Sequence, residues 1–423
     1  MLKRTRSFLV LVMLLMTVTM SAQVTTATMS GKVTAQDEPI IGATIVAIHE
    51  PSGTRYGTVT NVSGQFNLQG MRTGGPYKVE ISYVGYQTAI YKGINLLLGE
   101  NYVLNVSLKE SSELLDEVVV TASKESNMKS DRAGAIMNAN RDMISNTPTI
   151  SRSISDIMRL SPQGADVGNG FAVGGGNYRQ SFVTVDGAAF NNTFGLGGNL
   201  PANGSPISLD ALEQVTVAVT PFDVRQSGFT GGAINAVTRS GDNQFRGTAY
   251  MYFNNENLKG SKVDDYELLR SKAQYYTYGA SFGGPIIKDK LFFFVNGEYE
   301  DNVTAGSNYR PRTALGESYS GGNIHRPLQS DMDDMRGFLL NKYNFDPGKY
   351  NDYSTDTPAY RVMARVDWNA NQNNKVSFRF TKTHTKDSNF PTSSVSPLST
   401  SALYPGGTST EVIDGKPVGT IAP

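Results

Sequence analysis

The chain has 423 residues, and its 38 lysines and arginines balance 38 aspartates and glutamates, so its formal net charge is zero. This balance does not favour a surface that binds nucleic acid. The absence of cysteine excludes disulfides, thiolate metal sites and cysteine nucleophiles. Only 18% of residues are charged, whereas glycine, tyrosine and phenylalanine are abundant. This composition favours strands and turns, and it predicts a mainly β protein.

The first 22 residues have the pattern of a secretory signal peptide. Three basic residues precede an apolar run over residues 8–20, and small residues follow it. The run is shorter than the roughly 18 to 20 residues that a membrane-crossing helix needs. We therefore predict cleavage between Ala22 and Gln23. No later stretch is long and apolar enough for such a helix, so any membrane-spanning part of the mature protein must consist of strands.

Residues 29–109 form a series of short alternating segments separated by turn residues, as in a small sandwich. In residues 77–83, for example, Val79, Ile81 and Tyr83 share one face, which we expect to be buried. The segments GKVTAQDEPIIGATIVAI, GTVTNVSGQFNLQG and YKVEISYVGYQT closely resemble the carboxypeptidase regulatory-like domain, a transthyretin-like sandwich. The resemblance implies a domain over residues 23–109. We expect it to fold on its own without metal.

Residues 110–132 are polar and lack periodicity, which predicts a linker. The linker contains one strand-prone patch: Glu117, Val118, Val119, Val120, Thr121 and Ala122. β-branched residues favour extended structure, so the patch predicts a strand. From residue types alone, it is either a terminal strand of the preceding sandwich or a segment that a partner captures as an added strand.

The next segment combines one helix with many glycines. A helix is predicted over residues 151–161, with Ser151 as its N-cap, a stop before Pro162, and one apolar face. That face comprises Ile154, Ile157, Met158 and Leu160. Fifteen glycines then lie between residues 163 and 241, interleaved with short strands predicted at 182–185, 215–219 and 233–238. These glycines indicate either close approach of backbones in a confined space or surface loops.

Five segments after Phe245 alternate apolar and polar residues with a period of two. The apolar sets are Ala249, Met251 and Phe253; Tyr276, Tyr278, Ala280 and Phe282; Leu291, Phe293, Val295 and Tyr299; Val362, Ala364, Val366 and Trp368; and Val376, Phe378 and Phe380. The residues between them include Asn296, Glu298, Arg361, Arg365 and Asp367. The pattern predicts strands whose apolar face points outward and whose polar face points inward.

The connections between these five strands alternate between long and short, at about 20, eight, nearly 60 and six residues. Barrels in outer membranes have this alternation because one set of turns is short and the other reaches outside the cell. Residues 241–423 also hold 14 of the 21 tyrosines and the single tryptophan, as interfacial aromatic girdles require. The alternative is a soluble β domain with the same periodicity.

Three longer motifs carry a resemblance that covers about residues 29–300 in one consistent order. SRSISDIMRLSPQ, YRQSFVTVDGAAFNN and PISLDALEQVTVAVTPFDVRQSGFTGGAINAVTRSG closely resemble the plug domain of TonB-dependent outer-membrane transporters. FRGTAYMYFNNENLKG and FGGPIIKDKLFFF resemble the first barrel strands of that family, and the whole looks most like its Oar-like branch. The resemblance implies a plug over residues 133–241 and the start of a transmembrane barrel over 242–423, in about five strands.

The same resemblance implies an outer-membrane receptor whose N-terminal domain and plug face the periplasm. A ligand would cross the membrane when a TonB-type energy-coupling protein captures residues 117–122, the TonB box of the family, and pulls on the plug. Outer-membrane lipid would surround the strands. The ligand cannot be read from these residues. The alternative function is that of a secreted or cell-surface adhesion protein that uses its sandwich to bind surface ligands.

Catalysis, cofactors and metals are not expected. The three histidines, His49, His325 and His384, form no metal-binding pair, and the chain has no phosphate-binding loop or nucleophile elbow. An SxxK match at residues 126–129 lies in the linker without partner motifs. Three acidic residues in the longest connection, Asp331, Asp333 and Asp334, form either a calcium site or a solvated loop tip.

Five strands are too few for a closed transmembrane barrel, because the smallest have about eight. We therefore expect the chain to be an N-terminal portion of a larger receptor and not to transport by itself.

Overall fold

The structure is a computed structural model that describes residues 25–110, 118–121, 136–149, 152–167, 170–191, 200, 205–219, 231–258, 260, 262–263, 266–267, 272–305, 310–317, 324–350, 353–371, 374–386, 409–413 and 416–421. The predicted signal peptide with its Ala22 and Gln23 cleavage site, the two ends of the strand-prone patch and the predicted cap Ser151 lie outside these residues. The chain divides into two compact units. The first comprises residues 1–250, 279–299 and 359–385, and the second the remaining residues.

The first ten strands belong to an N-terminal sandwich of two five-stranded sheets. One sheet has the order β2-β1-β5, with β8 and β9 also paired to β1, and the other has the order β10-β7-β6-β3-β4. The strands are β1 Ala27–Ala35, β2 Glu38–Pro39, β3 Thr44–His49, β4 Thr54–Val59, β5 Gln65–Met71, β6 Gly74–Ser82, β7 Ala89–Leu96, β8 Asn101–Val103, β9 Val106–Ser107 and β10 Val118–Thr121. The predicted sandwich is confirmed.

The sandwich core follows the period-two pattern. Val79 and Ile81 on β6 are fully buried, as predicted, together with Tyr77. The prediction for Tyr83 was wrong: it is 37% exposed, because β6 ends one residue before it. Gly64 closes the Asn-Val-Ser-Gly turn with a φ of +72°, and its missing Cβ leaves room for a carbonyl oxygen of β1.

The middle region, residues 136–241, is built on one sheet of order β11-β16-β17-β14-β15. Its elements are β11 Ile136–Asn140, α1 Arg141–Asn146, α2 Ile154–Met158, β12 Gly164–Asp166, β13 Phe171–Val173, β14 Phe182–Val185, β15 Ala188–Ala189, β16 Leu212–Ala218 and β17 Ala233–Thr238, with 3₁₀ turns at Tyr178–Gln180 and Leu209–Ala211. We call its sheet the middle sheet. The strands predicted at 182–185 and 233–238 are confirmed, and the third begins three residues earlier than predicted.

The predicted helix is shorter than its apolar pattern suggested. It begins after Ser153, whose hydroxyl and the carboxylate of Asp156 form a capping box, and it ends at Met158. Ile154, Ile157 and Met158 are buried, whereas Leu160 is 37% exposed because it lies beyond the helical turn. Ser153 rather than Ser151 is therefore the cap.

The C-terminal sheet has the order β18-β21-β22-β26-β27, with β25 also paired to β22. Its strands are β18 Arg246–Asn255, β21 Gln274–Ile287, β22 Leu291–Ala305, β25 Ser354–Asp356, β26 Ala359–Asn369 and β27 Lys375–Thr385. The connections cover residues 256–273, 288–290, 306–358 and 370–374, so the predicted alternation of long and short connections is confirmed. The chain is mainly β, as expected.

The predicted inverted alternation is confirmed on β21, β22 and β26. Large apolar side chains are exposed on one face, including Tyr278, Phe282, Val295, Tyr299, Val362 and Trp368. Polar side chains are buried on the other face, including Thr277, Ser281, Asn296, Glu298, Arg361, Arg365 and Asp367. On the first strand, β18, the pattern is weaker, because residues on both of its faces are exposed.

The second unit holds smaller elements of the long connections and of the segment after β27. They are β19 Lys262–Val263, β20 Tyr266–Glu267, β23 Arg310–Arg312, β24 Ile324–Leu328, α3 Gln329–Tyr343, β28 Ser409–Ile413 and β29 Lys416–Ile421. Helix α3 carries the acidic cluster, so these residues do not form the predicted loop tip. Asp333 accepts a hydrogen bond from Tyr350 at 2.6 Å. Among the described residues, no helix has the length and apolar character to cross a membrane.

A fragment of residues 25–110 should fold as a monomeric sandwich without metal, since its core lies within these residues. Circular dichroism and a cooperative thermal transition would check this, with EDTA and zinc as the two comparison conditions. A fragment that stayed unfolded, or that folded only with zinc, would contradict the prediction.

The sandwich should lose stability as the pH falls below about 6.5. Burial, with a contribution from nearby Arg72, lowers the pKa of His49 from 6.5 to about 3, and its Nδ1 lies 2.7 Å from the hydroxyl of Ser52. The folded state therefore keeps His49 neutral where the unfolded state takes up a proton, so stability falls between pH 6.5 and pH 3.

At pH 4.5 the loss from this histidine should be about 2 to 3 kcal/mol. Urea unfolding of the fragment at pH 7 and pH 4.5 measures it, with His49→Gln as the matched variant. The variant should show a smaller difference between the two pH values. An equal difference in both proteins would contradict the assignment.

Candidate functional site

The polar face of the C-terminal sheet is covered by the middle region, and we call it the inner face. Phe294 on β22 and Met363 on β26 belong to the same buried apolar cluster as the middle-sheet residues Val215, Val217 and Ile234. Charged side chains on this face are therefore removed from water. A buried charge is tolerated only when it is paired and hydrogen-bonded, so the position of each partner defines how the two parts fit.

The first set of partners, the Glu298 cluster, consists of Ser208, Tyr250, Glu298 and Arg361. Arg361 Nη1 donates to Glu298 Oε1 at 2.9 Å, and these two side chains are only 2% and 3% exposed. Ser208, which precedes the 3₁₀ turn at Leu209–Ala211, donates to Glu298 Oε2 at 2.9 Å. The Tyr250 hydroxyl donates to the same carboxylate. One carboxylate thus joins β18, β22 and β26 to the middle region.

The guanidinium of Arg361 also reaches the main chain of the middle region. Its Nε donates to the carbonyl of Ser205. Nearby, the hydroxyl of Thr383 on β27 donates to the carbonyl of Pro206 at 2.6 Å. The segment before the 3₁₀ turn is therefore fixed to two strands of the C-terminal sheet.

A second set, the Asp367 cluster, lies along β26 and β27. Arg365 makes a bidentate pair with Asp367, through Nε at 2.8 Å and Nη2 at 3.1 Å. Asp186 of the middle region lies 4.0 Å from Arg365 and 3.5 Å from Arg379. Asp186 also accepts from the backbone N–H of Thr238 at 3.0 Å. This carboxylate therefore links the end of the middle sheet to two arginines of the C-terminal sheet.

A third contact involves Arg239, directly after β17. Its Nη1 lies 3.5 Å from Asp210 Oδ2, and its guanidinium lies 4.7 Å from the ring centroid of Phe294. Gly241 follows, and a Cβ there would lie 2.3 Å from the carbonyl oxygen of Phe293. The close-approach interpretation of the glycines is therefore confirmed at this position.

The N-terminal sandwich contacts both parts. Its Leu98 N–H donates to Gln214 Oε1 on β16 at 3.1 Å, and its Glu100 accepts from Asn138 of β11 at 2.5 Å. Arg72 lies 3.3 Å from Asp367. A cavity of about 1110 Å³ lies among these surfaces, and the arginines that line it include Arg72, Arg239 and Arg365, which already face carboxylates. These three arginines are therefore already paired, and the pair of Arg72 with Asp367 joins the sandwich to the C-terminal sheet.

The strand-prone patch lies on the sandwich. Val118–Thr121 form β10, which pairs in parallel with Ala89, Ile90, Tyr91 and Lys92 of β7. This matches the alternative that the patch is a terminal strand of the sandwich. Capture by a partner is untested by this pairing and stays a prediction. The flanking Glu117 and Ala122 lie outside the described residues.

No metal-binding group of three or more histidines, aspartates or glutamates is found within the described part of the chain. His49 is buried in the sandwich, and His384 lies near the end of β27 with its ring centroid 5.1 Å from that of Tyr360. The predictions of no enzyme, no cofactor and no metal stay predictions.

The alternating pattern predicted that Glu298, Arg361, Arg365 and Asp367 lie on the inner face, but it did not predict their partners in the middle region. Ser208 and Asp186 lie far from them along the chain, and no local pattern signals which strand each one meets. The sequence did carry one signal that such partners exist, because these charges lie on strands whose opposite face is apolar. Charges buried on such strands need further hydrogen-bond partners from elsewhere in the protein.

Two family models match the chain. The carboxypeptidase regulatory-like domain matches residues 28–109, and an outer membrane beta barrel domain matches residues 237–413. With the apolar outward face of the C-terminal sheet, these matches define the class: a protein of the outer membrane that carries a regulatory-like sandwich before a barrel domain.

The curated relatives are TonB-dependent proteins. The TonB-dependent transporter Oar of Myxococcus xanthus is 27% identical over 59% of this chain and 22% of that protein. The TonB-dependent receptor SusC of Bacteroides thetaiotaomicron is 29% identical over 60% of this chain and 24% of that protein. The chain is thus related to the TonB-dependent receptors, and it spans less than a quarter of the length of either relative.

Solved structures align more loosely. The siderophore receptor PirA from Acinetobacter baumannii has a TM-score of 0.39 and 16% identity, over 59% of this chain and 31% of that one.

Removing one member of the Glu298 cluster should loosen the middle region. Glu298→Leu leaves Arg361 buried without its carboxylate, which typically costs about 3 to 5 kcal/mol. We expect a lower denaturant midpoint for the variant in detergent. Arg361→Met should act in the same direction.

The double variant Glu298→Leu/Arg361→Met separates the ion pair from general packing damage. Because it removes both charges, it should be more stable than either single variant. Additive losses from the two substitutions would contradict the pairing. Tyr299→Leu, on the exposed face of the same strand, is the matched control and should leave the midpoint nearly unchanged.

Proposed function

We propose that the protein is a TonB-dependent outer-membrane receptor that takes up a ligand, with the middle region as its plug. The observation that carries the proposal is the inverted character of the C-terminal sheet. Apolar side chains such as Phe282 and Trp368 are exposed, while the charges of Glu298 and Arg361 are buried against the middle region. Strands of this kind suit a lipid exterior and a filled interior.

The proposal includes a division of the chain into domains. We assign residues 1–22 to a signal peptide, 23–109 to the regulatory-like sandwich, 110–132 to a linker, 133–241 to the plug and 242–423 to the barrel. The Glu298 and Asp367 clusters hold the plug to the barrel wall through charge-assisted hydrogen bonds, which are stronger than neutral ones. In this arrangement the sandwich and the plug face the periplasm.

Transport requires that the plug move, and buried ion pairs do not separate without input of energy. We propose that this input arrives through Val118–Thr121 and its flanking Glu117 and Ala122, captured by a TonB-type energy-coupling protein. Backbone capture as an added strand suits β-branched residues. Residues 122–135 then connect the captured strand to Ile136, the first residue of the plug sheet. The class of ligand is not assigned.

A proline in this strand should abolish uptake. Val119→Pro removes a backbone N–H that strand addition uses, so energised transport should fall at least tenfold in cells that express the full-length receptor. Uptake of the receptor's ligand by cells measures this.

Export of the receptor and its affinity for ligand at the cell surface should stay unchanged, because the strand contributes to neither. Val119→Ala is the control, since it keeps the backbone donor. Normal uptake by Val119→Pro would show that residues 117–122 are not the coupling segment.

A further inference from the structure

The coupling strand is already paired. Each residue of Val118–Thr121 has a partner on β7: Val118 with Ala89, Val119 with Ile90, Val120 with Tyr91 and Thr121 with Lys92. β10 forms one end of its sheet, and β7 lies between β10 and β6. Without β10, β7 would be the edge strand and would present unpaired backbone groups.

We propose that β7 and the energy-coupling protein compete for this strand, so that the N-terminal sandwich holds the coupling segment until the partner exchanges for β7. This inference rests on the proposed function, because it assigns a resting site to the same segment. It adds a binding surface, the β7 edge at residues 89–92. It also states the chemistry of its occupant, an extended segment that pairs through its backbone.

The pairing favours exchange over simple addition. In a strand, the backbone groups of successive residues point to opposite edges, so half of those in a four-residue segment are engaged by β7. A partner at the open edge would meet only the other half. A partner that takes the strand from β7 can pair with either edge of Val118–Thr121. It can also extend the pairing into the flanking residues. Exchange costs the hydrogen bonds to β7, and the longer pairing with the partner offsets that loss.

The chain path keeps β10 close to β7. The sandwich ends at Glu110, which forms a backbone bridge to Tyr86, and the Gln87 N–H donates to the carbonyl of Lys109 at 2.9 Å. Glu110 therefore lies beside Tyr86, three residues before the start of β7. Residues 111–117 connect Glu110 to β10. A tether this short gives an effective concentration in the millimolar range, so even a short strand docks.

β7 is also held at the plug. It ends at Leu96, and the residues just after it include Leu98 and Glu100, which bond Gln214 and Asn138 of the plug sheet. Residues 89–100 of the sandwich thus contact both the docked strand β10 and the first strand of the plug, β11. A partner that takes the strand must first overcome this docking. Its apparent affinity equals its affinity for the free strand multiplied by the fraction of receptor molecules whose strand is free.

A disulfide across the pair tests the competition. Lys92→Cys and Thr121→Cys place two thiols on register partners, and neighbouring strands lie within the range that a disulfide spans. The chain contributes no other thiol. Cysteines are introduced into the full-length receptor, which is purified in detergent with any other cysteines replaced. Binding of the purified periplasmic domain of the organism's TonB-type protein is then measured with and without reductant.

The oxidised receptor should bind this domain at least tenfold more weakly than the reduced receptor, and reductant should restore binding. Equal binding in both states, or failure of the two cysteines to couple under mild oxidation, would overturn the inference. Thr44→Cys with Val59→Cys, two exposed register partners of β3 and β4, is the control pair. Its oxidation should leave binding unchanged.

A second variant acts in the opposite direction. Lys92 has no register partner on β6, because the β6–β7 pairing is interrupted there, so Lys92→Pro disturbs the β7 edge with least effect on the rest of the sheet. It should strengthen partner binding relative to Lys92→Ala, and weaker or equal binding would contradict the proposal. The Val119→Pro variant separates the two levels: if it binds the partner domain normally, the proposed coupling segment itself is wrong.

Discussion

The charges on the inner face of the C-terminal sheet constrain the structure around them. Glu298, Arg361, Arg365 and Asp367 lie on strands whose opposite face is apolar and exposed. A sheet of this kind is unstable in water, because its apolar face is uncovered. It is also unstable alone in lipid, because its charges pair with one another, as Glu298 does with Arg361 and Arg365 with Asp367, but their remaining hydrogen-bonding groups would be unsatisfied. The middle region solves the second problem by supplying Ser208, Asp186 and main-chain carbonyls. Its own fold serves the same end, since the 3₁₀ turn and the end of β17 place these groups opposite the strands.

The interface combines apolar and charged contacts. Phe294 and Met363 of the C-terminal sheet are buried with Val215 and Val217 of the middle sheet, and the charged clusters lie beside them. A charged contact is specific in geometry, and water can solvate its members once they part. In the proposed mechanism, the sandwich holds the segment through which the energy-coupling protein would pull the plug. It touches the plug at Asn138 and Gln214, so three parts of the chain meet within one compact unit.

Much of the fold could be predicted because the signals are local. Alternation on β21, β22 and β26 predicted which side chains face outward, and the turn residues between short alternating segments predicted the sandwich. The order of the sandwich, the middle region and the C-terminal sheet was predicted from the resemblance to a known family. The partners across the inner face could not be predicted, since Arg361 and Ser205 are separated by more than 150 residues and nothing local pairs them. The extent of α2 was overestimated, because an apolar pattern does not show where a capping box at Ser153 begins the helix. The strand at 118–121 was predicted, but the sequence left open whether it belongs to the sandwich or is captured by a partner. Its position on the sandwich was visible only in the pairing with β7.

The central claim is that the C-terminal strands face lipid on one side and the plug on the other. The most direct test is a scan of β27 with single cysteines carrying a nitroxide label, in the full-length receptor in bilayers. Accessibility to oxygen, which is concentrated in lipid, should peak at Val376, Phe378 and Phe380. It should fall at Ser377, Arg379 and Thr381, and the label at Arg379 should also resist a water-soluble relaxant, because Asp186 of the plug covers this side. A smooth profile without a period of two, or inner positions as open to the water-soluble relaxant as a loop residue, would contradict the account.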